Sequence, residues 1–223
     1  MTKHHNSYSK DSISLAVLIY PGVVLQDFAG PLEVFSKAKN LSKGKYRTFT
    51  VAESLDVVKT ENNTVSISPD YTLENMPDAD YLIIPGGNMK IVNQLVEDET
   101  YNQFIVRWDE KPRAKVVSIC TGAYILAGSG LLNGKKATTH FFVADDFSQA
   151  FPLVELVRDV RFVEDGRYIT SSGITSGIDA ALHIVDSLSG RQMRASIARA
   201  LQHQFHNEED WPVSPSGGKY SRK

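Results

Sequence analysis

Short apolar runs recur along the chain, and each one ends at residues that form turns. The run "SISLAVLIY" stops at Pro21 and Gly22, "DYLIIPGGN" closes with a glycine pair, and "RAKVVSIC" leads into Thr121 and Gly122. Continuous apolar runs of this length are typical of strands that are buried on both faces of a parallel sheet. Two alternating segments, "YRTFTVAE" and "NTVSIS", indicate further strands, and "VRDVRFVEDGRYITSS" predicts a hairpin around "EDG".

Segments with helical periodicity separate these strands. They are "GPLEVFSKAKN", "NQLVEDETYNQFIVRWDEK", "TGAYILAGSGLL", "GITSGIDAALHIVDSL" and "RQMRASIARALQHQF". The third is predicted to end near Gly128 to Gly130, and the fourth opens on a cluster of Gly, Ser and Thr. Strands and helices that alternate in this way predict an α/β fold, in which a mostly parallel sheet carries helices on both faces.

The carboxyl ends of the strands form the edge at which a sheet of this kind binds its ligands. Three loops are expected to meet at that edge: the loop after Tyr20, the turn Pro85-Gly86-Gly87, and the connection Cys120-Thr121-Gly122. An active site is therefore expected where these loops come together.

Length and composition are those of an ordinary globular protein. The chain has 223 residues, of which 42% are hydrophobic and 22% charged, enough for a substantial core. We expect a single domain over residues 13–206, between a disordered polar leader (residues 1–12) and a loose tail (residues 207–223). The net charge of -2 gives no reason to expect nucleic acid or a membrane as partner. A lone cysteine and the lack of a secretory signal favour the cytoplasm.

Cys120, the only cysteine, stands in "SICTG", where a buried strand gives way to a helix. A strand–turn–helix of this kind forms a nucleophile elbow, in which a small residue two positions on, here Gly122, lets helix and strand approach. The helix N-terminus is expected to lower the thiol pKa from about 8.5 and to favour a thiolate nucleophile. The alternative is an inert core residue, which is what most free cysteines are.

Two features at the same edge could serve such a nucleophile. Gly86 and Gly87 can bring main-chain N–H donors to a developing negative charge, or they can simply end a strand. Asp27 is expected in the loop after the first strand, before Gly30 and Pro31 start a helix. An acid placed there can cap the helix, or it can orient the thiol or act as a general base.

The histidines point to no metal site, since no His, Cys, Asp or Glu residues have convincing zinc spacing. Only His140, in "KKATTHFFVADDF", stands where a strand turns into a helix and could reach the cysteine. Capping of that helix by Thr139 explains the "TTH" string equally well. No phosphate-binding glycine motif is present, so we expect no nucleotide cofactor.

Four stretches carry a family resemblance: "LIYPGVVLQDFAGPLEVF", "DYLIIPGG", "VVSICTGAYILAGSGLLNGKKATTH" and "ITSSGITSGIDAALHIV". Together, from about Ile13 to Leu201, they resemble the ThiJ/PfpI superfamily of class I glutamine-amidotransferase-like proteins. The most similar branch is that of the isocyanide (isonitrile) hydratases, which share the Asp-x-x-Gly-Pro string, the Cys-Thr-Gly elbow and the Gly-Ile-Thr-x-Gly-Ile-Asp helix start. The resemblance implies a flavodoxin-like three-layer sandwich and a homodimer.

The resemblance also implies roles for individual residues. Cys120 matches the nucleophile, Asp27 the acid of the hydratases, and Thr121 the residue whose hydroxyl contacts the substrate. Further positions match a main-chain donor, a main-chain contact to the thiol and a pocket histidine: Gly87, Ile174 and His140. The implied activity is the hydration of a small isocyanide to an N-substituted formamide through a cysteine thioimidate, without a cofactor.

Two departures from the family pattern bear on function. The protease branch has His directly after the cysteine, whereas this chain has Thr121, so peptidase activity is not expected. Ser171 and Ser172 precede Gly173 where the hydratases are richer in glycine, which leaves the substrate open. The alternatives are a ligand- or redox-sensing domain like those of AraC-type regulators, without their DNA-binding module, and glyoxalase or deglycase chemistry, which uses Glu rather than Asp.

Overall fold

The computed structural model of the chain describes residues 12–205, so the predictions for the leader and the tail fall outside it, apart from Ser12. Within this range the chain forms eleven strands: β1 (Ile13–Leu18), β2 (Tyr46–Ala52), β3 (Val58–Lys59), β4 (Ser66–Ile67), β5 (Tyr71–Thr72), β6 (Tyr81–Ile84), β7 (Lys115–Ile119), β8 (Lys136–Ala137), β9 (Glu155–Leu156), β10 (Phe162–Asp165) and β11 (Tyr168–Ser171). The helices of the same range are α1 (Leu25–Leu41), α2 (Met89–Glu97), α3 (Glu99–Asp109), α4 (Gly122–Gly128), α5 (Ala144–Ala150), α6 (Ser176–Ser189) and α7 (Arg191–Ala200).

Seven strands form the central sheet, in the order β10-β11-β7-β6-β1-β2-β5. Every neighbouring pair is parallel except the hairpin of β10 and β11. That hairpin turns at Gly166, whose φ of 65° suits a two-residue loop, and it confirms the prediction around "EDG". The three central strands β7, β6 and β1 are the continuous apolar runs of the sequence, and their carboxyl ends lie side by side.

Helices cover the sheet in two layers. Helices α1, α6 and α7 pack against one another, and so do α2, α3 and α4. The apolar core lies between these layers and the sheet, and almost all of β1, β6 and β7 is buried in it. The predicted fold class, a flavodoxin-like sandwich with a mostly parallel sheet, is confirmed.

The start of α1 differs from the prediction in a way that matters for Asp27. The helix begins at Leu25 rather than at Gly30, and Pro31 lies inside it. A proline there removes one main-chain hydrogen bond, but buried apolar residues such as Val34 and Phe35 still hold the helix against the core. Asp27 therefore belongs to the first helical turn, and it does not lie in a loop as we predicted.

Smaller differences lie away from the central strands. The segment predicted as the strand "NTVSIS" contributes only β4, which pairs with β3 in a separate arm outside the central sheet. The long helical segment after β6 is broken at Asp98, whose Oδ1 accepts the N–H of Thr100 at 2.8 Å and so starts α3. No helix within residues 12–205 combines the length and the apolar character that crossing a bilayer requires.

Candidate active site

Only Cys120 and Thr121 connect β7 to α4, so the chain bends sharply at the cysteine. Cys120 has a φ of 56°, in the left-handed region that costs a residue with a side chain about 1–2 kcal/mol. Its N–H donates to the carbonyl of Ser171 at 2.9 Å, and its own carbonyl accepts from the Thr139 hydroxyl at 3.0 Å. Because neighbouring segments hold both main-chain groups, the strained bend is kept in place.

Gly122 allows this bend to sit against the sheet. A Cβ atom at this position would lie 2.1 Å from the carbonyl oxygen of Ile84, at the end of β6. No side chain fits at that distance, so α4 can begin beside the sheet only with glycine here. The predicted reason for a small residue two positions after Cys120 is confirmed.

Asp27 approaches the bend from α1 and is fully buried. Its Oδ2 accepts the N–H of Gly86 at 2.9 Å. Its Oδ1 is also buried and has no hydrogen-bond partner among residues 12–205. The Cys120 thiol is close enough that the two groups alter each other's pKa. The free oxygen is therefore available to a substrate, to water or to the thiol proton.

The burial of Asp27 changes its acidity. Loss of solvation raises the pKa of its carboxyl to about 7, since burial penalises the charged form. The Gly86 N–H and the Cys120 thiol lower this pKa, and the Glu61 carboxylate raises it, by smaller amounts. The acid therefore takes up and releases a proton near neutral pH, the range in which general acid–base catalysis works best.

The acidity of Cys120 contradicts the sequence-based expectation of a thiolate. Burial raises the pKa of the thiol well above its ordinary value, and the nearby Asp27 charge raises it further. Hydrogen bonds from Thr121 lower this pKa but do not outweigh burial. The favourable end of α4, a helix of seven residues, is also too weak to do so. The resting group is a thiol, which must give up its proton before it can react.

The glycine turn after β6 has a different use from the one predicted. The Gly86 N–H donates to Asp27, and the Gly87 N–H donates to the Thr121 hydroxyl at 2.9 Å. That hydroxyl donates in turn to the Gly87 carbonyl at 3.1 Å. Both N–H groups are engaged within the protein, so the structure does not support their predicted role as donors to the substrate. They hold Asp27 and Thr121 in place instead.

His140 and Thr139 exchange the roles considered for them. His140 Nδ1 accepts the N–H of Phe142 at 3.3 Å and caps a short 3₁₀ turn over Phe141–Val143. The hydroxyl of Thr139, which we considered as the cap, binds the Cys120 carbonyl instead. Burial lowers the pKa of His140, so its ring is neutral at physiological pH.

The two serines before Gly173 have different contacts. The carbonyl of Ser171, at the end of β11, accepts the Cys120 N–H. The Ser172 hydroxyl donates to the Arg161 carbonyl at 3.2 Å and shares a hydrogen bond of 3.3 Å with that of Ser176. Of the two serines, Ser171 therefore holds the main chain of the cysteine. Ile174 lies further along, with 41% of its surface exposed, and its main-chain contact with the thiol stays a prediction.

Access to the thiol is narrow, since Cys120 and Thr121 are 6% and 7% exposed. Two cavities lie near the site, and Cys120, Thr121 and Asp27 are not in the lining of either. One, of about 180 Å³, has Thr139 and Ser172 in its lining, and the other, of about 510 Å³, has Gly22 and Glu61. No group of three or more His, Cys, Asp or Glu side chains that could hold a metal ion occurs among the described residues.

Sequence reasoning missed three residues that shape the site. Thr139 and Ser171 hold the main chain of Cys120, and the Tyr20 hydroxyl donates to the Pro85 carbonyl at 2.7 Å. Tyr20 could have been found, because a polar ring tip ends an otherwise apolar strand at the functional edge. The contacts of Thr139 and Ser171 depend on how distant segments pack, and no local pattern indicates them.

Comparison with known proteins places the chain among relatives of two kinds. Residues 14–187 match the model of the DJ-1/PfpI family. The isonitrile hydratase of Pseudomonas putida is 34% identical over 181 residues, which cover 80% of this chain and 73% of that protein. The HTH-type transcriptional regulator GbdR of Pseudomonas aeruginosa is 29% identical over 200 residues, 88% of this chain and 53% of the regulator.

A solved structure extends the comparison to the fold. The crystal structure of a ThiJ/PfpI family protein from Pseudomonas syringae superposes with a TM-score of 0.75 at 27% identity. The superposition covers 96% of this chain and 84% of that protein. The likeness therefore extends to all elements that build the site.

Proposed function

We propose that this chain, which belongs to the DJ-1/PfpI family, is a cysteine-dependent hydratase that adds water to isocyanides and releases N-substituted formamides. The observation that carries the proposal is a buried acid next to a buried thiol. Asp27 has one free oxygen and a pKa of about 7, and Cys120 needs a base to become a nucleophile. The similarity to the isonitrile hydratase of Pseudomonas putida supports the choice of substrate class.

The first half of the reaction joins the substrate to the protein. The Asp27 carboxylate accepts the thiol proton while the Cys120 sulfur forms a bond to the terminal carbon of R–N≡C. The protonated Asp27 then delivers that proton to the same carbon. The product is a covalent thioimidate, R–N=CH–S–Cys, and the carboxylate is restored.

The second half consumes one water molecule. Asp27 takes a proton from water as its oxygen adds to the thioimidate carbon, and the nitrogen becomes protonated. The resulting R–NH–CH(OH)–S–Cys loses its hydroxyl proton as the C=O bond forms and the C–S bond breaks. The sulfur regains a proton, so the net change is R–N≡C plus water to R–NH–CHO.

The narrow approach to Cys120 and the identity of the residue after it suit this substrate. A narrow, nearly closed approach to Cys120 favours a slim reactive group, and an isocyanide is linear with its reactive carbon at the end. The residue after the nucleophile is Thr121 rather than a histidine, so no imidazole is placed there to serve the acyl transfer of a peptidase.

A second candidate is a domain that senses a ligand or the redox state. It is favoured by the similarity to the regulator GbdR, of which this chain spans about half the length. A thiol that stays protonated at rest is compatible with binding without turnover. We also propose a homodimer, which the family resemblance suggests, and a cytoplasmic location, which the lone cysteine suggests.

The test is incubation of the purified protein with several alkyl and aryl isocyanides, with formamide followed by NMR. We expect turnover by the wild type and by Ser187→Ala, an exposed hydroxyl on α6, and none by Cys120→Ala. Turnover by Cys120→Ala would overturn the mechanism. Absence of turnover by the wild type with every isocyanide would overturn the substrate and leave sensing as the better proposal.

A further inference from the structure

Tyr20 is a buried ionisable group next to the reacting pair that the proposed chemistry does not use. It ends the apolar run of β1 and has no exposed surface. Burial and, to a lesser extent, the nearby Asp27 carboxylate hold the pKa of its hydroxyl well above the ordinary value. The hydroxyl therefore stays protonated at working pH and remains a hydrogen-bond donor.

The Tyr20 side chain contacts the turn that follows β6. Its hydroxyl donates to the Pro85 carbonyl at 2.7 Å, a buried bond across 65 residues of sequence. Its ring lies against Gly87, since a Cβ on Gly87 would be 2.8 Å from the Tyr20 Cε2 and 2.9 Å from its hydroxyl oxygen. Tyr20 thus supports this turn from the side of β1.

The same turn holds the reacting acid and the residue after the nucleophile. Gly86 donates its N–H to Asp27, and Gly87 exchanges two hydrogen bonds with Thr121. On its outer side the turn is held by main chain, because the Val24 N–H donates to the Gly86 carbonyl at 2.9 Å. Tyr20 adds the side-chain hydrogen bond to Pro85, the first residue of the turn.

We propose that Tyr20 is a positioning residue, which fixes the Pro85–Gly87 turn and through it the hydrogen bond from the Gly86 N–H to Asp27. The inference rests on the proposed function only in taking Asp27 and Cys120 as the reacting pair. It concerns the geometry and titration of the acid, and it holds for any small substrate that the pair transforms.

The direction of the effect follows from the groups around the carboxyl. The titratable groups that act on Asp27 are Cys120 after β7 and Glu61 beside the β3–β4 arm, and the Asp27 charge in turn raises the pKa of Tyr20, which follows β1. The Gly86 N–H stabilises the charged carboxylate. A turn without its Tyr20 support holds that N–H less well, so the neutral acid is favoured and the pKa rises.

The experiment measures the pKa of Asp27 by difference infrared spectroscopy, with Asp27→Asn identifying its band. We expect Tyr20→Phe to raise the midpoint by about one pH unit, a tenfold change in proton affinity. The matched control is Tyr124→Phe, which also removes a buried hydroxyl donor to a main-chain carbonyl, that of Val143 at 2.8 Å. The control should lose similar thermal stability and keep the wild-type midpoint.

An unchanged or lowered midpoint in Tyr20→Phe would overturn the proposal. If that variant fails to fold, hydrogen exchange of the wild type is the deciding measurement. We expect the Gly86 and Gly87 amides to exchange only through global unfolding. Exchange by local opening would show that the turn is not fixed and would overturn the proposal. Neither measurement needs isocyanide turnover, so an inactive wild type would overturn the proposed substrate without touching this result. If the protein is a hydratase, the pH profile of kcat/KM shifts with the midpoint.

Discussion

Asp27 and Asp179 are two fully buried aspartates, each in the first turn of a helix that packs on the same side of the sheet. Asp179 receives two bonds from Arg161, at 2.9 and 2.6 Å, and one contact from His203 at 2.8 Å. Asp27 receives a single N–H, from Gly86, and keeps one oxygen without a partner. Residue type, burial and helix position are shared, and only the partners differ.

The difference in partners explains why Asp179 stabilises the fold, whereas Asp27 is suited to proton transfer. A buried carboxylate paired with a guanidinium keeps its charge and links the segments that carry the two groups. A buried carboxyl without a cation is held near the point where it gains and loses a proton. Replacing each aspartate by asparagine therefore should give opposite outcomes for activity and for stability.

The largest effect is expected at Asp27. Asp27→Asn removes the base that takes the thiol proton, so isocyanide hydration should fall about 10²–10⁴-fold. The pKa of the Cys120 thiol itself, followed by thiolate absorbance, should fall, because the charge that raises it is gone. The exposed Asp145→Asn serves as control for both measurements. An unchanged or higher thiol pKa in Asp27→Asn would contradict the electrostatic account of the pair.

The second-largest effect, a loss of stability, is expected on replacement of Asp179. Asp179→Asn leaves the Arg161 guanidinium buried without its counter-charge, which should lower the free energy of unfolding by about 3–5 kcal/mol. Urea unfolding measures the loss. Asp145→Asn, which removes an ion pair with Arg158 at the surface, should stay within about 0.5 kcal/mol of the wild type. Equal losses of unfolding free energy in the two variants would mean that the buried Arg161–Asp179 pair does not stabilise the fold.

Sequence patterns predicted the sheet, because continuous apolar runs and their closing glycines are local signals of buried parallel strands. They also predicted that Cys120 and Asp27 lie at one edge of the sheet, because the carboxyl ends of parallel strands point in the same direction. The sequence does not indicate the helical position of Asp27, because a proline is typical of a helix start, whereas Pro31 lies inside α1. The protonation state of Cys120 was not predicted correctly, because burial and the Asp27 carboxylate raise the pKa of the thiol more than the short helix α4 lowers it.

The pH dependence of stability offers the finest test of the comparison. The pKa of Asp27 is about 7 in the folded protein and 3.8 in its ordinary, unfolded setting. Between these values the folded state holds a proton that the unfolded state has lost, so each rise in pH favours the unfolded state and weakens the fold. The full penalty applies above pH 7 and is at most about 4 kcal/mol.

Asp27→Asn cannot ionise, so it should not lose this stability as the pH rises. The unfolding free energy of Asp27→Asn minus that of the wild type should increase from pH 4 to about pH 7 and then level off, as measured by urea titrations at each pH. Asp145→Asn should give a nearly flat difference, because its carboxylate is exposed in the folded state. A flat difference for Asp27→Asn as well would mean that its carboxyl ionises as it does in water. Asp27 would then lack the raised pKa that its burial gives it.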